Sequence, residues 1–293
     1  MPLTIATWNI NSVRLRLRLV TRLLRRHAPD VLCLQEIKCL AGNFPYRAIR
    51  RLGYRHIAVS GQRGYHGVAI ISRLPFLDEA TRDFCAKGDA RHLRVTIADG
   101  GSTLDVHNFY VPAGGDEPDP GLNPKFGHKL AFLEEMSGWL PGVTSGRNAV
   151  LVGDLNVAPM EQDVWSHRQL LKVVSHTPAE TGRLERIRAG GNWIDVARHF
   201  VPPEEKLYTW WSYRARDWRA SDRGRRLDHI WVTPLLGDRL RRFVVLRDAR
   251  DWPRPSDHVP VIATIDDAAS AVDREQVSPH ALQLAERTGE ALR

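Results

Sequence analysis

The segment Asn148-Ala149-Val150-Leu151-Val152-Gly153-Asp154-Leu155-Asn156-Val157-Ala158-Pro159 decides how the rest of the chain is read. Val150 to Val152 form a short apolar run of strand type, closed by Gly153, where the backbone can turn sharply. Asp154 and Asn156 then alternate along an extended segment, which predicts a carboxylate and an amide on one face at the carboxyl end of a strand. Pro159 ends ladder pairing. Asp and Asn are also common turn formers, so this segment taken alone leaves a plain turn and a functional site about equally open. Four further polar clusters end apolar strands in the same way and move the balance towards a site.

Working outward, Leu3 to Trp8 predict a strand that ends in Asn9-Ile10-Asn11-Ser12. Asn11 or Ser12 is a natural cap for a following helix, in which Val13, Leu17, Val20 and Leu24 make the apolar stripe. Asp30 to Leu34 form the next strand, ending Gln35-Glu36-Ile37-Lys38. Gly64-Tyr65-His66-Gly67 turn into Val68 to Ser72, which implies antiparallel pairing. Thr103 to Phe109 run out through Tyr110 into a Gly- and Pro-rich loop, and Lys125 to Leu140 predict a helix back to the central strand. Tyr208-Thr209-Trp210-Trp211 precede Arg214, Arg216, Arg219, Arg223, Arg225 and Arg226. Aromatics interleaved with arginines suit bases, sugars and phosphates, although Trp211 also reads as core. Leu227 to Thr233 carry Asp228, and Asp257-His258 stand just before the last strand.

Composition narrows the function classes. The residues from Asp266 to Arg293 carry six acidic against three basic side chains, a net of −3, which leaves +11 on the body of a chain whose net charge is +8. A basic body around an acidic site points to a polyanion substrate. Three widely spaced cysteines, Cys33, Cys39 and Cys85, suggest neither a zinc site nor a disulfide framework. With no basic-then-apolar leader and no long apolar run, the expected setting is cytoplasmic, away from membranes.

The ordered set Thr7-Trp8-Asn9-Ile10-Asn11, Leu34-Gln35-Glu36-Ile37-Lys38, Gly64-Tyr65-His66-Gly67, Asn108-Phe109-Tyr110-Val111-Pro112, Gly153-Asp154-Leu155-Asn156, Arg226-Leu227-Asp228 and Ser256-Asp257-His258 resembles the exodeoxyribonuclease III family of abasic-site endonucleases, within the endonuclease/exonuclease/phosphatase superfamily. Each motif is weak alone; their order from Leu3 to Ile265 is specific. The resemblance implies an α+β fold, a four-layer α/β/β/α sandwich of two mainly antiparallel sheets flanked by helices. It implies a catalytic domain over residues 1–265, followed by an acidic tail, 266–293, with a short helix expected near Ser278-Pro279. It further implies a monomeric, magnesium-dependent DNA repair nuclease, with manganese substituting, that cuts 5′ to abasic sites and trims 3′ ends of double-stranded DNA. Phosphodiester hydrolysis needs an activated water, a stabilised phosphorane charge and a neutralised leaving oxygen, and an oxygen-rich site suits a hard cation.

By the same resemblance, Glu36, Asn9 and Asp257 are the expected metal residues. Tyr110, Asp154, Asn156, Asp228 and His258 are the expected catalytic set: Asp154 on the water, Asn156 on water or phosphate, His258 on a phosphate oxygen and held by Asp228, Tyr110 on the phosphate. Asn11, Lys38, Trp210, Arg214, Arg216 and Leu227 are expected to contact DNA, with Trp210 and Leu227 walling a pocket for a base-free sugar. Arg225 stands where some relatives carry a bulky apolar residue. Two other readings stay open at this level. One is another superfamily branch, of deoxyribonuclease I-like or phospholipid-directed type. The other is a catalytically silent DNA-binding module.

Overall fold

The computed structural model describes residues 2–215 and 217–268. Its elements run β1 (Leu3–Asn9), α1 (Leu17–Arg26), β2 (Val31–Gln35), α2 (Tyr46–Arg50), β3 (His56–Ser60), β4 (Val68–Ser72), β5 (Phe76–Thr81), β6 (His92–Asp99), β7 (Ser102–Tyr110) and α3 (Pro124–Thr144). They continue as β8 (Ala149–Asp154), α4 (His167–Leu170), α5 (Pro178–Gly190), β9 (Ile194–Asp195), α6 (Val196–Phe200), β10 (Trp210–Trp211), α7 (Trp218–Ser221), β11 (Gly224–Arg225), β12 (Asp228–Val232), β13 (Leu240–Val245) and β14 (Val261–Ile265).

Two six-stranded sheets form, in the orders β13-β14-β1-β2-β4-β3 and β5-β6-β7-β8-β12-β9. They are mixed: β1–β2 and β7–β8 are parallel, and the other ladders antiparallel. The sheets pack face to face through Ile5, Val31, Val150, Val152, Ile230 and Val261, all buried. Each such side chain removed from water stabilises the fold by about 1.5–3 kcal/mol. On the outside of the first sheet, α1 and α2 cover Ala6, Trp8, Leu32 and Leu34. On the outside of the second, α3 and α5 cover Phe109, Leu151 and Trp231. The result is the four-layer sandwich. Strands covered on both faces need apolar side chains on both faces, which is why β8 reads as a continuous run and is buried throughout.

Gly153 fixes the crossing of β7 and β8. Its φ is +143°, and a Cβ there would stand 1.9 Å from the Phe109 carbonyl oxygen, so no larger residue fits without moving backbone. One expectation fails at α1. Neither Asn11 nor Ser12 caps it; both have positive φ (47° and 84°), and the helix begins only at Leu17, behind Arg16. The intervening residues are held to the β2 end instead, with Ser12 N–H on the Glu36 carbonyl (2.7 Å) and Val13 N–H on the Ile37 carbonyl (3.2 Å). Residues 269–293, including the expected tail helix, lie outside the described residues.

Candidate active site

The ends of β1, β2, β7, β8 and β12 converge at one edge of the sandwich. Register alone sets Asp228 opposite Asp154 across β12–β8, Tyr110 beside Asp154 across β7–β8, and Asn9 beside Gln35 across β1–β2. A cavity of about 590 Å³ opens there, lined by Glu36, Asp154, Asn156, Trp210, Leu227 and His258 among others.

Asp154 and Asn156 meet by a different route from the strand alternation expected. Asn156 has φ 53°, and its N–H bonds the Asp154 carboxylate (Oδ1, 3.0 Å). The β1 end repeats this: Asn11, at φ 47°, donates its N–H to Asn9 Oδ1 at 3.0 Å. Both are side-chain-to-backbone turns of the kind Asp and Asn favour. The plain turn and the site are therefore the same structure. Each turn swings the second residue out while pinning the first side chain inward. The Asn156 amide is held in turn by the Val111 carbonyl (2.9 Å).

Asn9 is the hub. Its amide nitrogen donates to Glu36 Oε1 (2.9 Å) and to Asp154 Oδ2 (2.8 Å), joining two carboxylates that would otherwise repel. Its amide oxygen takes the Asn11 N–H, so the side chain faces the carboxylates as a donor. Asn9, expected beside the metal, here bridges Glu36 and Asp154. Glu36 Oε1 also accepts from the Tyr110 hydroxyl at 2.9 Å. Burial, with Glu36 and Asp154 nearby, pushes the Tyr110 phenol well above its ordinary range, so it stays a donor. Glu36 itself is ionised: burial opposes its charge, but Lys38, Asn9 and His258 more than offset it and hold its pKa down. The backbone at Glu36 is left-handed (φ 50°), a conformation that costs free energy in a non-glycine residue and concentrates at functional sites.

His258 lies between two carboxylates. Its Nδ1 meets Asp228 Oδ2 at 2.8 Å and its Nε2 lies 3.7 Å from Asp154 Oδ2. Burial works against an imidazolium here, yet Asp228 and Asp154 together outweigh it and raise the pKa to about 10. Burial and repulsion from Asp228 and Glu36 push Asp154 up to about 7, against the pull of His258 and Asn9. Asp154, Asp228 and His258 also place ligand atoms within 4.8 Å of one another. A charged imidazole there already offsets one of the two carboxylate charges. Glu36 is a further ionised carboxylate at the cavity. Its Oε2 holds the Lys38 ammonium at 2.8 Å, and Asn11 Oδ1 holds the same ammonium at 2.6 Å. This oxygen pair already takes positive charge from the chain itself.

Asp257, expected near the metal, has both oxygens engaged: Oδ1 by the Asn11 amide (3.2 Å) and Oδ2 by the Trp210 indole N–H (2.9 Å). Trp210 and Leu227 line the cavity, as does the exposed Arg214. Arg216 lies outside the described residues. The arginine cluster splits. Arg226 is fully buried in ion pairs with Asp163 and Asp195, and Arg219 pairs with Asp248 and Asp251, so both are structural. Trp211 is core.

A profile of the Endonuclease/Exonuclease/phosphatase family matches residues 6–258. This chain belongs to that family. Within it, the chain is 29% identical to exodeoxyribonuclease III of Haemophilus influenzae, over 88% of this chain and 97% of that protein. An AP endonuclease structure from Archaeoglobus fulgidus is 34% identical, with a TM-score of 0.83, over 90% of this chain and 99% of the other. A 3′ phosphatase from Neisseria, solved with a product DNA hairpin, is 31% identical, also with a TM-score of 0.83, over 90% and 99% of the two chains. The chain thus sits in the exodeoxyribonuclease III and AP endonuclease branch of the family and is a nuclease.

Several further residues support the site through hydrogen bonds between distant segments. The Thr209 hydroxyl donates to Asp228 Oδ2 (2.7 Å) while accepting the N–H groups of Leu227 (3.0 Å) and Asp228 (3.1 Å). Ser256 Oγ donates to the Asn9 carbonyl (2.7 Å) and accepts from His258 N–H (3.2 Å). Buried Lys129 donates to the Asn156 carbonyl (2.7 Å) and pairs with buried Glu180 at 2.5 Å. Ser256 belongs to the Ser256-Asp257-His258 motif, and Thr177 with Glu180 makes the capping box of α5, a spacing legible in the sequence; Thr209 and Lys129 carry no such signal. Among the described residues no helix is long and apolar enough to cross a membrane.

Proposed function

We propose that this DNA repair nuclease hydrolyses phosphodiester bonds 5′ to abasic sites and removes nucleotides or blocking groups from 3′ ends of double-stranded DNA, with magnesium, or manganese in its place, as cofactor. The observation that carries the reading is the Asn9-bridged Glu36–Asp154 pair standing against the His258–Asp228 pair. It sets an ionised carboxylate, a proton acceptor and a cationic donor around one cavity.

Glu36, with the Asn11 amide oxygen beside it, would hold the divalent cation; the all-oxygen donor set favours magnesium. When bound, it supplies charge neutralisation at the phosphate and the leaving 3′ oxygen. Asp154, raised to about 7, is suited to take the proton of the attacking water near neutral pH. Asn156 orients that water. His258, positively charged and fixed through Asp228, donates to a phosphate oxygen, and the Tyr110 hydroxyl adds a second donor. Trp210 and Leu227 wall the space for a sugar without its base, which must leave the stack to enter. Arg214 and the basic body attract the backbone.

Asp154→Asn and Trp210→Ala, run on abasic, intact and recessed duplexes, test this. Asp154→Asn lowers every activity together, by roughly a hundredfold to ten-thousandfold. Trp210→Ala lowers abasic incision by about tenfold to a hundredfold and relaxes discrimination. If Asp154→Asn spares one hydrolytic activity, Asp154 is not the common base. If Trp210→Ala slows all substrates in equal proportion, Trp210 is scaffold.

A further inference from the structure

The cavity wall carries a guanidinium that the proposed reaction does not use. Arg225 pairs in register with Trp210 across the two-stranded ribbon β10–β11, and its guanidinium carbon lies 5.4 Å from the centre of the Trp210 ring. One nitrogen, Nη1, donates to the Val174 carbonyl (2.9 Å) and to Ser175 Oγ (2.8 Å). Nε is buried and has no partner. Burial pushes the side chain's pKa down, and no carboxylate lies within ion-pair distance among the described residues. Glu180, the acidic group acting on it through space, is committed elsewhere: to Lys129 at 2.5 Å and to the Ser175 (2.9 Å) and Thr177 (3.1 Å) backbone N–H groups. A desolvated charge without a counter-ion is costly, and an anion brought to it recovers that cost.

The support under Arg225 is rigid. Ser175 has φ 87°, a strained conformation for a residue with a Cβ. It is kept there by Glu180, which is fixed in turn by Lys129, and Lys129 holds the Asn156 carbonyl. A continuous buried network therefore sets Arg225 relative to Asn156. Arg214 and Arg223 also line the cavity, but both are exposed. They suit backbone phosphates, whereas Arg225 points at one spot beside Trp210.

We propose that Arg225 is a specificity residue that makes the sugar pocket an anion subsite, selecting 3′ ends whose blocking group, esterified to the scissile phosphate, carries a carboxylate. This rests on the reading of Trp210 and Leu227 as the pocket walls. Hydrolysis there adds water to phosphorus and breaks the bond from phosphorus to the upstream 3′ oxygen. That oxygen leaves with a proton as the 3′ hydroxyl, and the blocking group leaves as its phosphate monoester.

Two duplexes separate the claim from the wider one: one ending in 3′-phosphoglycolate, the other in the corresponding 3′-phosphoglycolamide, in which an uncharged amide of the same shape replaces the carboxylate. The wild-type protein is expected to favour the glycolate end by roughly tenfold to a hundredfold in kcat/KM, the range for a hydrogen bond to a charged group. It should show a like preference in Kd measured in chelator. Arg225→Met removes the preference in both readouts, and Arg225→Lys, which keeps the charge but loses the fork, retains part of it. If Arg225→Met fails to fold by thermal melting, the wild-type and Arg225→Lys ratios decide. Equal treatment of the two ends by the wild-type protein, or a preference surviving in Arg225→Met, overturns the proposal. Failure to cleave either end overturns the hydrolytic reading instead, while the Kd comparison in chelator still judges Arg225.

Discussion

Replacing Asp228 with asparagine keeps the shape of the site and removes one charge from beside His258. The imidazole pKa rises from 6.5 to about 10 in the fold, a preference for the charged form of about 5 kcal/mol at 1.36 kcal/mol per unit. Asp228 is the largest attractive influence, ahead of Asp154 and Asp257, and it also makes the 2.8 Å hydrogen bond. A neighbouring opposite charge moves a pKa by about one to three pH units, so the His258 pKa falls by about that much in Asp228→Asn. A raised pKa stabilises the fold fully below the unfolded value of 6.5, and that stabilisation is lost as pH rises through about 10. The wild-type protein loses this increment between those limits, and Asp228→Asn loses a smaller one at lower pH. Imidazole NMR titration reads the pKa, and denaturant midpoints at the two ends of the window read the stability. A wild-type imidazole titrating near 6.5, or a value unmoved by Asp228→Asn, refutes the electrostatic account of His258.

Two further predictions concern the metal and the strand crossing. Glu36→Gln raises the magnesium concentration needed for half-maximal cleavage by about tenfold or more and changes DNA affinity less; full wild-type activity in excess chelator ends the magnesium assignment. Gly153→Ala sets a Cβ 1.9 Å from the Phe109 carbonyl oxygen, where only backbone can yield, and lowers unfolding stability by about 3 kcal/mol or more in denaturant titration; a loss under about 0.5 kcal/mol refutes the close-approach argument.

Motifs at strand ends were the most legible part of this chain. β8 is covered on both faces, so its apolar run and the Gly153-Asp154-Leu155-Asn156 that follows announce a buried strand delivering polar groups to an edge. The same holds for Asn9, Glu36 and Asp228. The two-sheet, four-layer arrangement came from resemblance rather than from periodicity, because apolar runs carry no record of which strands pair. Asn11 and Ser12 show a local limit. Their cap propensity is real, but backbone bonds to the Glu36 and Ile37 carbonyls outcompete a helix start.

Charge states and shared roles were beyond the sequence because they depend on what lies within a few ångströms across long separations. Arg225 and Arg226 are neighbours in one basic stretch. Across the fold, Arg226 meets Asp163 and Asp195 and becomes structural, while the Arg225 guanidinium meets, among the described residues, a carbonyl, a hydroxyl and an indole and no paired carboxylate. His258 is an ordinary histidine until Asp228 and Asp154 close around it in a dry pocket, where Coulomb interactions are strong. Thr209 and Lys129 belong to no motif, because a hydrogen-bonded support can be supplied from any segment that the sheets bring near. Local propensity and pattern are written along the chain, whereas desolvation and pairing arise only when distant segments exclude water together.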